Sequence, residues 1–138
     1  MAESITEPTV ALRQISVARN AATGCWNIRW QVENLGTDAL EINSVRLPHG
    51  QFKSAEQHFA PALELAASES RQFQILVHCD EPVGLVTENA FVIFHCRWRG
   101  DAWRIFVRIR VDVNGDGKPE TATELITTQK VGFSGISS

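Results

Sequence analysis

The fold is decided by residues 90–113, which read AFVIFHCRWRGDAWRIFVRIRVDV. Apolar and polar side chains alternate on both sides of the central Gly-Asp pair, and a period of two is typical of half-buried strands. Two residues of this type between two strands favour a tight hairpin. We therefore expect Arg99 to lie opposite Ala102. In that register Trp98 faces Trp103, and every apolar side chain of the set falls on one face.

The same alternation recurs over most of the chain. It is clearest at residues 26–33, where Trp26, Ile28 and Trp30 share one side and charged or amide side chains share the other. At residues 10–17 the alternation skips a step between Leu12 and Ile15, which indicates a β-bulge. Further strands are expected at residues 40–47, 63–65, 71–79 and 120–133.

One segment departs from this pattern. Ser54-Ala55-Glu56-Gln57 fits a capping box, in which a serine side chain and a residue three positions later satisfy the free backbone groups of a helix start. The sequence therefore predicts one short helical turn at residues 55–59, which Pro61 would end.

Length and composition set the organisation and exclude several classes of protein. The chain has 138 residues and a net charge of −3, which suits one globular domain and argues against nucleic acid as a partner. No apolar run reaches the roughly 20 residues of a membrane helix, so no membrane partner is expected. We predict a single domain over residues 9–133, between flexible tails at 1–8 and 134–138.

The three cysteines indicate the compartment. Cys25, Cys79 and Cys96 are an odd number, and the first residues do not resemble a secretion signal. Both features predict reduced thiols and a cytoplasmic protein. Cys79 and Cys96 alternate with apolar residues, so we expect them in the core as small hydrophobic side chains.

The order of these elements resembles that of a bacterial immunoglobulin-like domain. The residues that carry the resemblance are 30–36 (WQVENLG), 61–65 (PALEL), 70–73 (SRQF) and the final hairpin. The resemblance implies an all-β, antiparallel immunoglobulin-like β-sandwich of seven or eight strands. Such sandwiches host many unrelated functions, so the function has to be argued from the residues.

A second turn has the composition of a calcium loop. Residues 112–120 read DVNGDGKPE, with oxygen-bearing side chains at alternate positions and a glycine at the sixth, as hard cations require. The candidate metal ligands are Asp112, Asn114, Asp116 and Glu120. The alternative is a hairpin in which glycine and asparagine supply positive φ angles. Thr123 stands where a calcium loop of the EF-hand type has a bidentate glutamate, so we expect no cofactor here.

The outward side of the 90–113 hairpin is the most distinctive surface. In the expected register Arg97 lies opposite Arg104, Ile93 opposite Arg108, and Phe91 opposite Arg110. Arginines interleaved with aromatic side chains are typical of interface hot spots, and like charges across a strand pair are destabilising. We name the following residues the arginine face and predict that they bind a partner: Phe91, Ile93, His95, Arg97, Arg104, Phe106, Arg108 and Arg110.

These observations favour a non-enzymatic protein-interaction or assembly module, whose partner is another protein or a second copy of the chain. No Ser-His-Asp, Cys-His or phosphate-loop arrangement indicates an enzyme. Two alternatives stay open. One is a calcium-dependent binding module that uses residues 112–120, and the other is an arginine face that binds an anionic ligand.

Overall fold

The computed structural model describes residues 6–131, and these residues form eight antiparallel strands without a helix. All the strand pairs are antiparallel, as the alternation predicts. The described part of the chain has no helix with the length and apolar character that crossing a bilayer requires. The strands are β1 (Val10–Arg19), β2 (Cys25–Asn34), β3 (Leu40–His49), β4 (Phe52–Leu65), β5 (Ser70–His78), β6 (Val86–Trp98), β7 (Asp101–Val113) and β8 (Pro119–Lys130).

The strands form one curled sheet in the order β1-β2-β5-β4-β3-β6-β7-β8. Seven neighbouring pairs are hydrogen-bonded, but β4 and β5 share a single residue pair, Lys53 with His78. The two end strands meet through side chains, because Gln14 Nε2 donates to the Pro119 carbonyl at 3.1 Å and Thr121 N–H donates to Gln14 Oε1 at 3.0 Å. The sheet is therefore nearly closed and barrel-shaped, with one weak junction between β4 and β5.

The inward residues of this sheet make a continuous apolar core. Trp26, Ile28 and Trp30 are all buried, as the alternation in β2 predicts. Edge-to-face aromatic contacts link the strands across the interior, with ring centroids 5.8 Å apart between Phe73 and Phe94. Every strand from β1 to β7 contributes buried side chains to the core cluster, and Ile126 of β8 packs against it, so the core holds the curled sheet together along its whole length.

The predicted irregularity in β1 is present. The register between β1 and β2 shifts between Gln14 and Ser16, one to two residues beyond the skipped step in the alternation. The bulge turns Gln14 towards β8, where its side chain makes the contacts that close the sheet.

The predicted helical turn at residues 55–59 is wrong, because this segment belongs to β4. Ser54, which would have capped the helix, bonds across strands instead, and so does its neighbour Glu56. Ser54 Oγ accepts a hydrogen bond from the Leu47 N–H at 3.2 Å, and Glu56 Oε2 accepts one from Ser44 Oγ at 2.6 Å. Tertiary pairing with β3 outweighs the weak local preference for a cap. Pro61 lies within a register shift of β4 against β3, between the pairs Ile42–Leu63 and Ser44–His58.

The ends of the chain lie largely outside the described residues. This applies to residues 1–5 of the predicted N-terminal tail and to the whole predicted tail at 134–138. Among the described residues, Glu7 accepts a hydrogen bond from the Thr128 hydroxyl. The last strand ends at Lys130, and the predicted strand residues 132–133 are also outside the described range.

Candidate functional site

The β6–β7 hairpin places all eight residues of the arginine face on the outer side of the sheet, away from the core. Its centre is apolar, because Ile93 lies directly opposite Phe106. Arg46 of β3 is the other neighbour of Ile93, and Thr127 of β8 is the other neighbour of Phe106. Ile93 is 5% exposed although it lies outside the core cluster. Its neighbours therefore already shield the middle of this face.

The register of the hairpin differs from the predicted one by two residues. Trp98 pairs with Asp101, and the turn consists of Arg99 and Gly100. Both turn residues have positive φ, 51° and 80°, as the two-residue turn that matches strand twist requires. The Arg99 guanidinium lies 4.3 Å from the centroid of the Trp98 ring and pairs with Asp38. These contacts hold an arginine in a backbone conformation that glycine or asparagine adopts more easily.

This shift preserves which side chains share a face but changes their neighbours. Arg97 lies opposite Ala102, not Arg104, so the expected pair of like charges is absent. Arg104 lies opposite His95, and Arg108 lies opposite Phe91. The hairpin thus separates its arginines, and it brings the apolar Ile93 and Phe106 together where the predicted register kept them apart.

The arginines differ in how they are neutralised. Arg108 Nε lies 3.9 Å from Glu124 Oε1, and Arg110 Nη2 lies 3.3 Å from Asp112 Oδ2. Arg97 Nη2 donates to the Gly100 carbonyl at 3.2 Å. Among residues 6–131, no carboxylate oxygen lies within 4.0 Å of the guanidinium nitrogens of Arg104. Arg104 therefore offers its donors to solvent or to a partner.

A polar cluster borders this face, and sequence reasoning missed it. Glu56 on β4 accepts a hydrogen bond from Ser44, and its oxygens lie 3.9 Å from His95 Nε2 and 4.0 Å from His58 Nε2. These residues come from β3, β4 and β6, so no local motif could have united them. The hydrogen bond from Ser44 lowers the pKa of Glu56, as do the neighbouring histidines and Arg46.

The pKa of His95, which belongs to the same cluster, is also lowered. Burial lowers the pKa of His95 from its usual 6.5, and the nearby Arg104 and Arg46 lower it further, while Glu56 acts in the opposite direction. Ser44 donates to the carboxylate and not to a histidine. The cluster therefore lacks the nucleophile-to-base hydrogen bond of a Ser-His-acid triad.

The loop at residues 112–120 forms the turn between β7 and β8. Asn114 Oδ1 accepts two backbone N–H groups, from Asp116 and Lys118, each at 2.9 Å. Asn114 Nδ2 donates to Glu120 Oε2 at 3.1 Å, and Asp112 pairs with Arg110. Within residues 6–131 no three His, Cys, Asp or Glu side chains form a group that could hold a metal ion. Three of the four candidate side chains, those of Asp112, Asn114 and Glu120, thus already have partners within the protein.

The cysteines lie where the alternation predicts. Cys79 and Cys96 are buried, Cys25 is half-buried, and all three are free thiols. Burial raises the pKa of Cys79 to about 11 and raises the pKa of Cys96 as well. Both core thiols are therefore protonated at neutral pH and act as apolar packing groups.

Comparison with known proteins adds no assignment, since no protein-family model matches the chain and no curated protein matches it. The function has to be inferred from the surfaces themselves. The arginine face is the surface on which apolar, aromatic and charged groups converge.

Proposed function

We propose that this protein is a non-enzymatic interaction module that associates with a second copy of itself through the arginine face. The supporting observation is the centre of the outer sheet, where the half-buried Phe91 and Phe106 flank the buried Ile93 and arginines lie on either side. Aromatic and aliphatic anchors inside a charged rim are the usual anatomy of a protein interface.

One buried polar atom of the arginine face lacks an acceptor. Arg108 Nε is buried and has no hydrogen-bond acceptor among the described residues, because the nearest carboxylate oxygen, on Glu124, is 3.9 Å away. A buried donor without an acceptor costs free energy. Because this atom is already buried in the single chain, a partner's acceptor reaches it only when the Arg108 side chain re-orients on association.

The distribution of charge favours a second copy as the partner. Four arginines of the outer face lie on its β6–β7 side, whereas its β3–β4 side carries Glu41, Glu56 and Glu64 with one arginine, Arg46. A two-fold axis brings the same patch of two subunits together in opposite orientations. The basic side of each copy then lies over the acidic side of the other, while the apolar centres meet near the axis.

We also propose a more specific fold class, the immunoglobulin-like sandwich. The strand order divides into β1-β2-β5 and β4-β3-β6-β7-β8, which meet at the single pair between β4 and β5. Two antiparallel layers of this kind, with strands two and five adjacent, support an immunoglobulin-like sandwich of bacterial type.

The three free thiols support a cytoplasmic location, and a denatured, unreduced sample should release three titratable thiols.

Sedimentation over a range of concentrations tests the association. We expect a monomer–dimer equilibrium that Phe106→Ser weakens by at least about tenfold, because a central anchor contributes most of the binding free energy. Arg110→Ala is the matched control at the rim and should change the dissociation constant by less than about fivefold. Near-ultraviolet circular dichroism verifies that both variants keep the native fold.

Three other outcomes would contradict this proposal. A strict monomer at high protein concentration would leave the arginine face without a self-partner. Binding of a small anion that weakens steeply as salt rises, without association, would favour the anionic-ligand alternative instead. Calcium-dependent association would favour the loop at residues 112–120.

A further inference from the structure

The junction between β4 and β5 leaves one edge of β5 without a partner strand. These strands pair at Lys53 and His78 and then separate, so that β5 is bonded on its other edge to β2 alone. The inner side of the opening is covered by Phe59, whose ring lies 5.7 Å from that of Phe73. The core is therefore covered by Phe59, while the backbone groups on this edge of β5 have no partner strand.

The hydrogen-bond pattern identifies which backbone groups are open. Cys79 N–H donates to the Gly24 carbonyl at 2.8 Å, and Asn34 N–H donates to the Glu69 carbonyl at 2.9 Å. In an antiparallel pair, alternate residues direct their N–H and C=O groups to the same neighbour. Residues 71, 73, 75 and 77 therefore bond to β2. Gln72, Gln74 and Leu76 direct theirs to the open edge.

Two hollows are lined by these β5 residues together with residues of the neighbouring strands, one with β2 and one with β2 and β4. One, of about 240 Å³, is lined by Arg29, Gln72, Phe73 and Gln74. The other, of about 360 Å³, is lined by Cys25, Lys53, Ser54, Ala55, Leu76 and His78. Each hollow is thus next to a residue whose backbone is unpaired.

The other strand edges of the described sheet are protected. β1 and β8 are bridged by side chains of Gln14 and Thr121. β4 is interrupted by two register shifts against β3 and contains Pro61. The pairing of β5 with β2 runs without a shift from Ser70 to His78, and a long regular edge is a template for another strand.

We infer that the open edge of β5 is a strand-addition site for an extended, acidic–apolar peptide segment of a partner protein. The backbone of that segment pairs with Gln72, Gln74 and Leu76, which together offer three N–H and three C=O groups. The hollows select its side chains, as in other strand-addition sites.

The charge and exposure of the residues that line the hollows indicate which peptide side chains fit there. Arg29 of β2 reaches across to β5 and donates to Gln74 Oε1 at 3.4 Å. Arg29 and Lys53 line the hollows and no carboxylate does, so an acidic side chain fits opposite Gln74. Leu76 is 52% exposed and lies in the other hollow with Ala55, so an apolar side chain fits there. Because Gln74 and Leu76 are two residues apart on one face, the two peptide side chains are also two residues apart. An antiparallel peptide presents the apolar residue first.

The test uses a capped heptapeptide of threonines that carries a valine and, two residues later, an aspartate. We expect saturable binding in amide-detected NMR titrations, with slowed hydrogen exchange at the amides of Gln72, Gln74 and Leu76. The same peptide N-methylated on its pairing edge should bind at least about tenfold more weakly, since it lacks the ladder donors. The peptide with the two side chains in reverse order is the control for strand direction.

Three protein variants locate the site. Leu76→Lys should weaken binding by roughly tenfold by removing an apolar contact, while Val86→Lys, at a residue 48% exposed elsewhere, should leave it unchanged. Phe106→Ser should also bind as the wild type does, which separates this site from the proposed dimer face. Equal affinity for the N-methylated peptide, or amides of Gln72, Gln74 and Leu76 that are already protected in the free protein, would overturn the inference.

Discussion

At the scale of single residues, the charge beside the apolar centre of the arginine face depends on one histidine, His95. His95 lies between Glu56, whose Oε2 is 3.9 Å from its Nε2, and Arg104 on the neighbouring strand. Burial and the two arginines favour the neutral ring, and Glu56 favours the charged one. The net result is a lowered pKa, so His95 keeps a neutral, flat surface beside the apolar centre at pH 7.

The lowered pKa of His95 predicts a loss of stability in mild acid. Below pH 6.5 the unfolded chain takes up a proton at this residue before the folded chain does, so the free energy of unfolding falls as the pH drops through that window. Urea unfolding of the wild type at pH 7 and 5.5 should show this loss. His95→Gln should reduce it, whereas His58→Gln, at a side chain 75% exposed, should not. Identical pH dependence in wild type and His95→Gln would contradict the assignment.

At the scale of elements, the β6–β7 hairpin depends on two tryptophans. Trp98 and Trp103 are 3% and 9% exposed, and their rings meet edge to face with centroids 5.8 Å apart. The contact that the sequence predicts is present, although the two residues are diagonal neighbours and not directly opposed.

Loss of one of these rings should nearly unfold the protein. Trp98→Ala should lower the free energy of unfolding by about 3–5 kcal/mol, as for other buried aromatic side chains, out of a total of about 5–15 kcal/mol. Trp98→Phe should cost less than half as much, since Trp98 Nε1 has no acceptor among the described residues and no hydrogen bond is lost. A change below about 1 kcal/mol for Trp98→Ala in denaturant titrations would show that the ring is not packed as described.

The hairpin also shows what sequence can and cannot predict. Alternation has a period of two, so it correctly assigned every residue of the arginine face to the outer side. A shift by two residues leaves that assignment unchanged, and therefore the alternation could not choose between turns at Arg99-Gly100 and Gly100-Asp101. The choice depends on the contacts of Arg99 with Trp98 and Asp38, which come from tertiary structure.

The β7–β8 turn should not respond to calcium. Asn114 already uses its side-chain oxygen for two backbone N–H groups, and Asp112 is paired with Arg110. Millimolar calcium is therefore expected to leave the melting temperature unchanged. A clear rise that Asp112→Ala abolishes would show binding by mass action and reverse this expectation.

At the scale of the whole molecule, the sheet is held by two unequal closures. Between β4 and β5 the strands meet through one residue pair and the aromatic contact of Phe59 with Phe73. Between β1 and β8 they meet through side-chain hydrogen bonds. The second closure was not readable from sequence, because it joins the first and last strands and Gln14 bonds to residues more than 100 positions away. The first closure joins consecutive strands, but its single residue pair follows from the register shifts of β4 against β3, which the alternation does not predict.

The second closure depends on Gln14, and its loss should loosen β8 before the rest of the fold. Gln14 makes three hydrogen bonds, to the Pro119 carbonyl and to the N–H and hydroxyl of Thr121. Gln14→Ala should lower the free energy of unfolding by about 1–3 kcal/mol, since it leaves part-buried groups without partners. Hydrogen exchange should accelerate most in β8, whose side chains are mostly exposed and contribute little to the core. Gln129→Ala, at an exposed glutamine of the same strand, is the control. Equal effects of both substitutions would mean that packing of β7 against β8, and not the bridge to β1, holds the last strand in place.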